Sequence, residues 1–494
     1  MTDTKKKIIH IVSIILMLVL IILPLKNLAI LFSNDGTFKR MDSLYAQPKG
    51  SVDVLCVGSS RVYCNIAPDV MWREYGISAY NLATSAQPLN LTYYALKEAL
   101  KYQNPKVVVV EASTVLAKDQ PNDQLETMGV QTGMKYSVNQ VEALLDHKDK
   151  DHFMEYLLRF PCFHNNYTEL TKESFDITKY YQFPNTKAAG FKGYIHEGFY
   201  YSPVAFLRDE GYTEDPYSEE RYDALVKIND LCKEKGTQLL LVLTPSCEIT
   251  EYESVCRFSS EYGIPYINYM KLIDEIGLSG EGDMIDNVHC SYYGAAKVSR
   301  YLSEFLIGNM GITSHAGDPA YESWDEYATY LALIENNKLL EKETGLGNYF
   351  NYIPNPNYLI ITSLRGNYDT RDVGQRSVLA KLGCNDVAYA AGGCWVLDGS
   401  ELKFYYTPSD GECEWSEELY GSDFRISNNN EDEEDHSVKV YINGEEIIIN
   451  DEAGIEMKDG IEFLVYDKLS QEVVDAAIFD SINDYRIVRN IEEN

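Results

Sequence analysis

Two short stretches carry residue types that could do hydrolytic chemistry together. Gly58-Ser59-Ser60-Arg61 follows directly on the apolar run Val52 to Val57, and Asp286-Asn287-Val288-His289 lies far downstream. A serine hydroxyl is a poor nucleophile until a base takes its proton. His289 could be that base, with Asp286 fixing the imidazole tautomer and stabilising the imidazolium. An Asp and a His at this spacing fit on one short loop, so both reach the same site edge. Ser60, at a strand-to-helix turn, could expose its Oγ and lend its own N–H to an oxyanion. Each half alone is common, for Gly-Ser-Ser occurs in many turns and Asp149-x-x-His152 repeats the second spacing. That second pair lies in a charged stretch with no strand before it. The Asp286 pair instead precedes a helix opened by Tyr293-Gly294-Ala295-Ala296-Lys297.

Elements able to position these residues are legible from Val52 onward. Val52 to Val57, Ile77 to Leu82, the four valines Val107 to Val110, Leu239 to Leu243 and Pro265 to Asn268 read as buried strands. Between them Leu91 to Gln103 reads as a helix, as does the stretch with Leu225, Ile228 and Leu231 on one face and a stop at Gly236. Val298, Leu302 and Phe305 line a closing helix. Strand and helix alternating in this way predict an α/β fold, a parallel sheet covered on both faces. The pattern lapses between Ser113 and Asp215, a stretch rich in aromatics that includes Tyr180, Tyr181, Phe183, Tyr194, Phe199, Tyr200 and Tyr201. Two readings stand for it, a wall over the site and a packed subdomain without substrate contact.

Ser323-x-x-Glu326 forms a capping box for a helix whose apolar face carries Tyr327, Leu331 and Ile334 and which Gly345 stops. Beyond it the sequence turns to β. Tyr358 to Thr362, Val438 to Ile442, Ile447 to Ile449, Phe463 to Tyr466 and Ala476 to Phe479 read as strands, and Asn443-Gly444 as a type I′ hairpin turn. The acidic run Glu431 to Asp435 reads as a solvated loop, since the ordered spacing of a calcium loop is missing.

Composition restricts the function classes. The 494 residues leave room for two or three domains. A net charge of −33, spread along the chain, argues against nucleic acid, whose phosphates need a basic footprint. It also argues against adsorption on anionic lipid. Eight histidines and ten cysteines form no CxxC pair, HExxH or P-loop, so no metal and no cofactor is expected. Cys56 and Cys232 sit in apolar patterns and read as buried small hydrophobes. Lys5, Lys6 and Lys7 precede an apolar run from Ile8 to Leu23 that extends past Pro24 and Lys26 to Phe32. A run of that length can cross a bilayer, and lysines before it favour a cytoplasmic N-terminus. With no small-x-small cleavage site after it, a retained single-pass anchor is favoured over a removed signal peptide, which places the rest outside the cell membrane.

Val54-Leu55-Cys56-Val57-Gly58-Ser59-Ser60-Arg61 resembles the first block of SGNH/GDSL hydrolases, with Gly-Ser-Ser in place of Gly-Asp-Ser. Asp286 to His289 with Tyr293 to Lys297 resembles their last block. The Gly-Ser-Ser variant looks like the membrane-anchored branch typified by DltD-like and alginate-acetylation proteins. The resemblance covers about residues 50 to 310. It implies a three-layer, flavodoxin-like domain with Ser60, rather than Ser59, as nucleophile and Asp286 and His289 as partners. Two departures concern the oxyanion hole. In Asn81-Leu82-Ala83-Thr84-Ser85, Ala83 stands where the family has glycine. After Val110 comes Glu111-Ala112-Ser113, without the family's Asn. Ser60 and Ala83 then remain as backbone donors, and Arg61, Asn81 and Gln87 are open as substitutes for the third.

Gly460-Ile461-Glu462-Phe463-Leu464-Val465-Tyr466-Asp467, then Val473-Val474-Asp475 and Ile478-Phe479-Asp480-Ser481, looks like the closing motif of ILEI/PANDER-like domains. These are compact β-rich folds, some associated with glycan binding. Trp395 and Trp415 are then stacking platforms or core residues. The expected organisation is a lysine cluster and anchor over 1–34, a hydrolase domain over 35–312 with an insertion at 113–215, a helical linker over 313–345 and a β-rich domain over 346–494. Together the resemblances imply an extracytoplasmic, membrane-anchored serine esterase or O-acyltransferase. Its substrate would be acyl esters of a cell-surface polysaccharide or teichoic-acid-like polymer, with a membrane protein as acyl donor if transfer is its task. The alternative is a glycan-binding or scaffolding protein with a degenerate hydrolase domain.

Overall fold

A computed structural model describes residues 3–32, 39–114, 134–135, 137–146, 152–158, 167, 191–194, 203–207, 211–214, 218–365, 393–407, 412–428, 438–449, 460–479 and 487–489. Most aromatics of the 113–215 stretch, all but Tyr194 of those named above, lie outside the described residues, as does the acidic run Glu431 to Asp435. The chain forms two compact units, Met1–Ala328 and Thr329–Asn494.

The first unit is built on five strands: β1 (Val54–Gly58), β2 (Ala79–Ala83), β3 (Val107–Glu111), β4 (Gln238–Leu243) and β5 (Tyr266–Asn268). All pairings are parallel, in the order β2-β1-β3-β4-β5. The apolar runs are nearly continuous because both sheet faces are covered. Leu55, Val57, Val108, Val110, Leu239 and Leu241 share one core with Leu91, Leu96, Leu225 and Ile228 of the helices Leu89–Ala99 and Glu219–Lys235. The alternate residues Val54, Cys56, Val107, Val109, Leu240 and Val242 are buried on the opposite side. Cys56 and Cys232 are both buried, and loss of solvation pushes each thiol up to about 12. The order in which successive strands are added reverses between β1 and β3, and in open α/β sheets the crevice beyond the strand ends at such a point is where ligands bind.

Part of the long insertion packs against the outer edge of this sheet. Phe191–Gly193 forms a short turn, and a Cβ on Gly193 would lie 1.7 Å from the carbonyl oxygen of Asn81. Lys192 is buried. Its Nζ donates to Gln47 Oε1 at 2.6 Å and to Ser323 Oγ at 3.0 Å, and lies 3.7 Å from the centre of the Trp324 ring. Tyr194 is buried as well. Ser323 therefore does not cap its helix. That helix runs Glu322–Lys342 after a turn at Pro319–Tyr321, where Asp318 accepts the Ala320 N–H at 3.0 Å. A side chain one turn earlier won the capping role, because a short 3₁₀ turn precedes the helix.

The N-terminal residues Asp3–Phe32 form one 30-residue helix, Pro24 included. Among the described residues no helix is long and apolar enough to cross a membrane. The side chains of many residues in Asp3–Phe32 lie outside that set.

The second unit is β-rich. A six-stranded antiparallel sheet and a four-stranded antiparallel sheet enclose a core that includes Leu359, Ile361, Val396, Phe424, Ile426, Val440 and Tyr466. The other face of the larger sheet is covered by Leu333, Leu340, Tyr349 and Ile353. With both faces covered, every residue of its central strand, Gly460–Asp467, is buried. Asn443 and Gly444 take φ of 52° and 84°, as a type I′ turn requires at both positions. The strand after that turn is Glu445–Glu446, ahead of Ile447 to Ile449. Trp395 is 1% exposed and belongs to the core, so it is no stacking platform, and half-buried Trp415 stacks on Phe404.

Candidate active site

Ser60 opens a short helix, Ser60–Asn65, immediately beyond the end of β1. Gly58 makes the turn feasible. Its φ is 154°, and a Cβ there would lie 2.8 Å from Val62 Cγ2 and 3.1 Å from Glu111 Cβ. As the first helical residue, Ser60 keeps a backbone N–H with no acceptor in its own helix. Ser59 is buried, whereas Ser60 is half-exposed.

His289 and Asp286 come from a tight loop ahead of the helix Tyr292–Met310. Met284 and Cys290 pair as an antiparallel bridge, and the Ile285 N–H donates to the His289 carbonyl at 3.0 Å. The residues that follow lock this loop to the helix. A Cβ on Gly294 would lie 2.1 Å from the Asp283 carbonyl oxygen, and Lys297 Nζ bridges to Asp283 Oδ2 at 2.7 Å. On the other side, the Cys247 N–H donates to the Asn287 carbonyl at 2.7 Å.

The structure brings the three side chains into one chain of hydrogen bonds. His289 Nε2 lies 2.9 Å from Ser60 Oγ, and His289 Nδ1 lies 2.7 Å from Asp286 Oδ2. Asp286 Oδ1 accepts the N–H groups of Val288 and His289, each at 2.8 Å. Loss of solvation works against the Asp286 charge. The bond from the His289 side chain and the two backbone N–H bonds outweigh it and hold the carboxyl below the ordinary range. With Asp286 on Nδ1, that nitrogen carries the ring proton and Nε2 is left free to accept one from Ser60.

The oxyanion donors divide differently from the sequence expectation. Ala83 ends β2 opposite Gly58, beside Ser60. Asn81 is committed elsewhere, because its Nδ2 donates to the Val62 and Ile66 carbonyls at 3.2 and 2.8 Å. Its side chain pins the Ser60 helix to the sheet and is not free for an oxyanion. Gln87 is committed too, accepting from Thr84 N and Oγ1 at 3.0 Å and donating to Thr92 Oγ1 at 2.7 Å. Arg61 is the uncommitted one of the three, 8% exposed and with no hydrogen-bond partner for Nη1.

Sequence reasoning missed two buried residues at this site. Glu111, at the end of β3, accepts from Thr244 Oγ1 and N at 3.2 and 3.4 Å and from Ser113 Oγ and N at 2.5 and 3.2 Å. Asn65 closes the Ser60 helix. It donates to Thr244 Oγ1 at 3.1 Å and to the Val288 carbonyl at 3.0 Å, and accepts the Cys290 N–H at 2.8 Å. The one available signal was a polar residue in an otherwise apolar setting, and it does not name its distant partners. No group of His, Cys, Asp and Glu among the described residues could hold a metal ion.

No protein-family profile matches the chain, and no curated protein matches it in sequence. Among solved structures, it is similar to a provisionally designated acylhydrolase from Bacteroides fragilis. The identity is 10% and the TM-score 0.28, over 56% of this chain and 98% of that one. It is also similar to a GDSL-like lipase from Bacteroides thetaiotaomicron, at 10% identity and a TM-score of 0.25, over 52% of this chain and 87% of that one. Likenesses this distant carry no argument about activity, which rests on the geometry of Ser60, His289 and Asp286.

Proposed function

We propose that the protein is a membrane-anchored serine esterase or O-acyltransferase acting outside the cell membrane, on acyl esters of a cell-surface polysaccharide or teichoic-acid-like polymer. The observation that carries the chemistry is the continuous chain Asp286–His289–Ser60 at the carboxyl end of β1, beside the reversal point of a parallel sheet. In this reading Ser60 Oγ attacks the ester carbonyl while its proton passes to His289 Nε2. The tetrahedral intermediate collapses, the C–O bond to the alcohol breaks, and His289 returns the proton to the departing alkoxide. Water or a sugar hydroxyl then attacks the acyl-serine with His289 again as base. The N–H groups of Ser60 and Ala83 stabilise the oxyanion, with the Arg61 guanidinium as the remaining donor.

The envelope setting is supported by the sequence, in which Lys5, Lys6 and Lys7 precede the apolar run Ile8 to Leu23. An acyltransferase would take its acyl group from a membrane partner. The β-rich second unit would serve as a glycan-docking module of the ILEI/PANDER kind. A second reading, a glycan-binding protein without turnover, is favoured by Glu111, an acceptor where the third side-chain donor is expected. The test is fluorophosphonate labelling and p-nitrophenyl acetate hydrolysis by the detergent-solubilised full-length chain. Labelling of Ser60 and turnover in the wild type, lost in Ser60→Ala and cut to a small residual rate in His289→Ala, are the expected result. A folded wild type that takes no label favours the binding protein.

A further inference from the structure

The Ser60 helix holds not only the nucleophile but also the grip on its base. Asn65 ends the helix that Ser60 opens and is fully buried. Its amide brackets His289 in the backbone. Nδ2 donates to the carbonyl of the residue before, Val288, and Oδ1 accepts the N–H of the residue after, Cys290. The other Nδ2 hydrogen goes to Thr244 Oγ1. All of its amide hydrogens and its oxygen are thus engaged, and the orientation has one polarity only. A flipped amide would set its NH₂ against the Cys290 N–H and its oxygen against the Val288 carbonyl.

Glu111 fixes that polarity from below. Its carboxylate offers only acceptors, so the Thr244 hydroxyl donates to Oε1 and keeps its lone pairs for Asn65. Ser113 saturates the other carboxylate oxygen. An ordered series of bonds therefore runs from the ends of β3 and β4, through Asn65, to both sides of the catalytic histidine.

We propose that Asn65 is a positioning residue for His289, that its amide orientation is set by Thr244 and Glu111, and that it holds Nε2 at hydrogen-bond distance from Ser60. This inference rests on the catalytic reading above. It differs from general structural support because its effect should pass through the imidazole alone.

The experiment is a double-mutant cycle on the full-length chain in detergent, reading the rate of fluorophosphonate labelling of Ser60 and the kcat and KM for p-nitrophenyl acetate. Asn65→Ala is expected to lower the labelling rate and kcat by about 100-fold, the scale of an ångström-sized misplacement, with KM little changed. Placed on His289→Ala, the same substitution should cost almost nothing, because the two act through one group. Thr244→Val, which removes the hydroxyl at nearly constant volume, should show a smaller loss with the same non-additivity and guards against an Asn65 variant that does not fold. Equal losses in both backgrounds, or wild-type rates in folded Asn65→Ala and Thr244→Val, would overturn the role of Asn65 while leaving the triad intact. A wild type that does not label would overturn the catalytic reading and the role of Asn65 with it.

Discussion

Asp286 is half-exposed at the loop tip yet receives three hydrogen bonds from the His289 side chain and the adjacent backbone. In the proposed reaction it would hold one tautomer and stabilise the imidazolium that forms when Ser60 attacks. Replacing it with Asn keeps the size but removes the charge and permits the other tautomer. Asp286→Asn is therefore expected to lower kcat/KM for p-nitrophenyl acetate by roughly two to four orders of magnitude. Steady-state kinetics on both folded proteins check this, and an unchanged kcat/KM would show that Asp286 does not act on the imidazole. Ser60, Asp286 and His289 were legible in the sequence because each lies in a compact local pattern, a turn after a strand and a spacing before a helix. Asn65 was not, for its meaning depends on Val288 and Cys290 coming to it across the fold. Asn81 misled for the same reason. It lies beside the oxyanion position in sequence, but its amide is turned toward the Val62 and Ile66 carbonyls.

At the scale of elements, strands buried on both faces announce themselves as apolar runs, which is why the five-stranded sheet could be read with nearly the observed bounds. The segment Phe191–Gly193 carries no such pattern, because it is held by specific polar contacts and one close backbone approach. Lys192 is the centre of those contacts. Loss of solvation lowers its pKa well below the ordinary lysine value, and the charge of Glu326 works against that without outweighing it. The Trp324 face favours the ammonium without restoring its hydration. Since the folded value is depressed, the unfolded chain binds the extra proton throughout the window between the folded value and about 10.4, the ordinary lysine value. Stability contributed by this site should therefore rise with pH across that window and be least below it. Thermal unfolding from neutral to mildly alkaline pH, compared between wild type and Lys192→Met, isolates the effect from the tyrosines and cysteines that titrate in the same range. The wild type should gain more stability with rising pH than the variant. Parallel curves would mean that Lys192 is charged or solvated in the folded protein.

For the whole molecule, the distribution of charge and apolar surface decides where the chemistry happens. A protein carrying a net charge of −33 is repelled by an anionic lipid surface, so electrostatic adsorption would not hold it there. The helix Asp3–Phe32 is about 45 Å long at 1.5 Å per residue, longer than a hydrocarbon core of about 30 Å, although among the described residues it is not apolar enough to mark a span. Ile9, Ile11, Val12, Ile14, Leu16, Met17, Leu20 and Ile21 are all exposed on it. Residues so spaced occupy every side of a helix, the distribution that the proposed anchor requires. The full-length chain is therefore expected to sediment with membranes, to resist extraction by high salt or alkaline carbonate, and to be released by detergent, whereas a chain lacking residues 3–32 should be found in the soluble fraction. Orientation is read separately. If Lys5, Lys6 and Lys7 keep the N-terminus in the cytoplasm, as the proposal has it, an N-terminal tag should survive protease added to intact cells while the part carrying Ser60 is digested. A full-length chain that washes off with salt would remove the anchor from the reading. A tag cleaved from outside would place Ser60 on the cytoplasmic side and take the cell-surface polymer out of reach as its substrate.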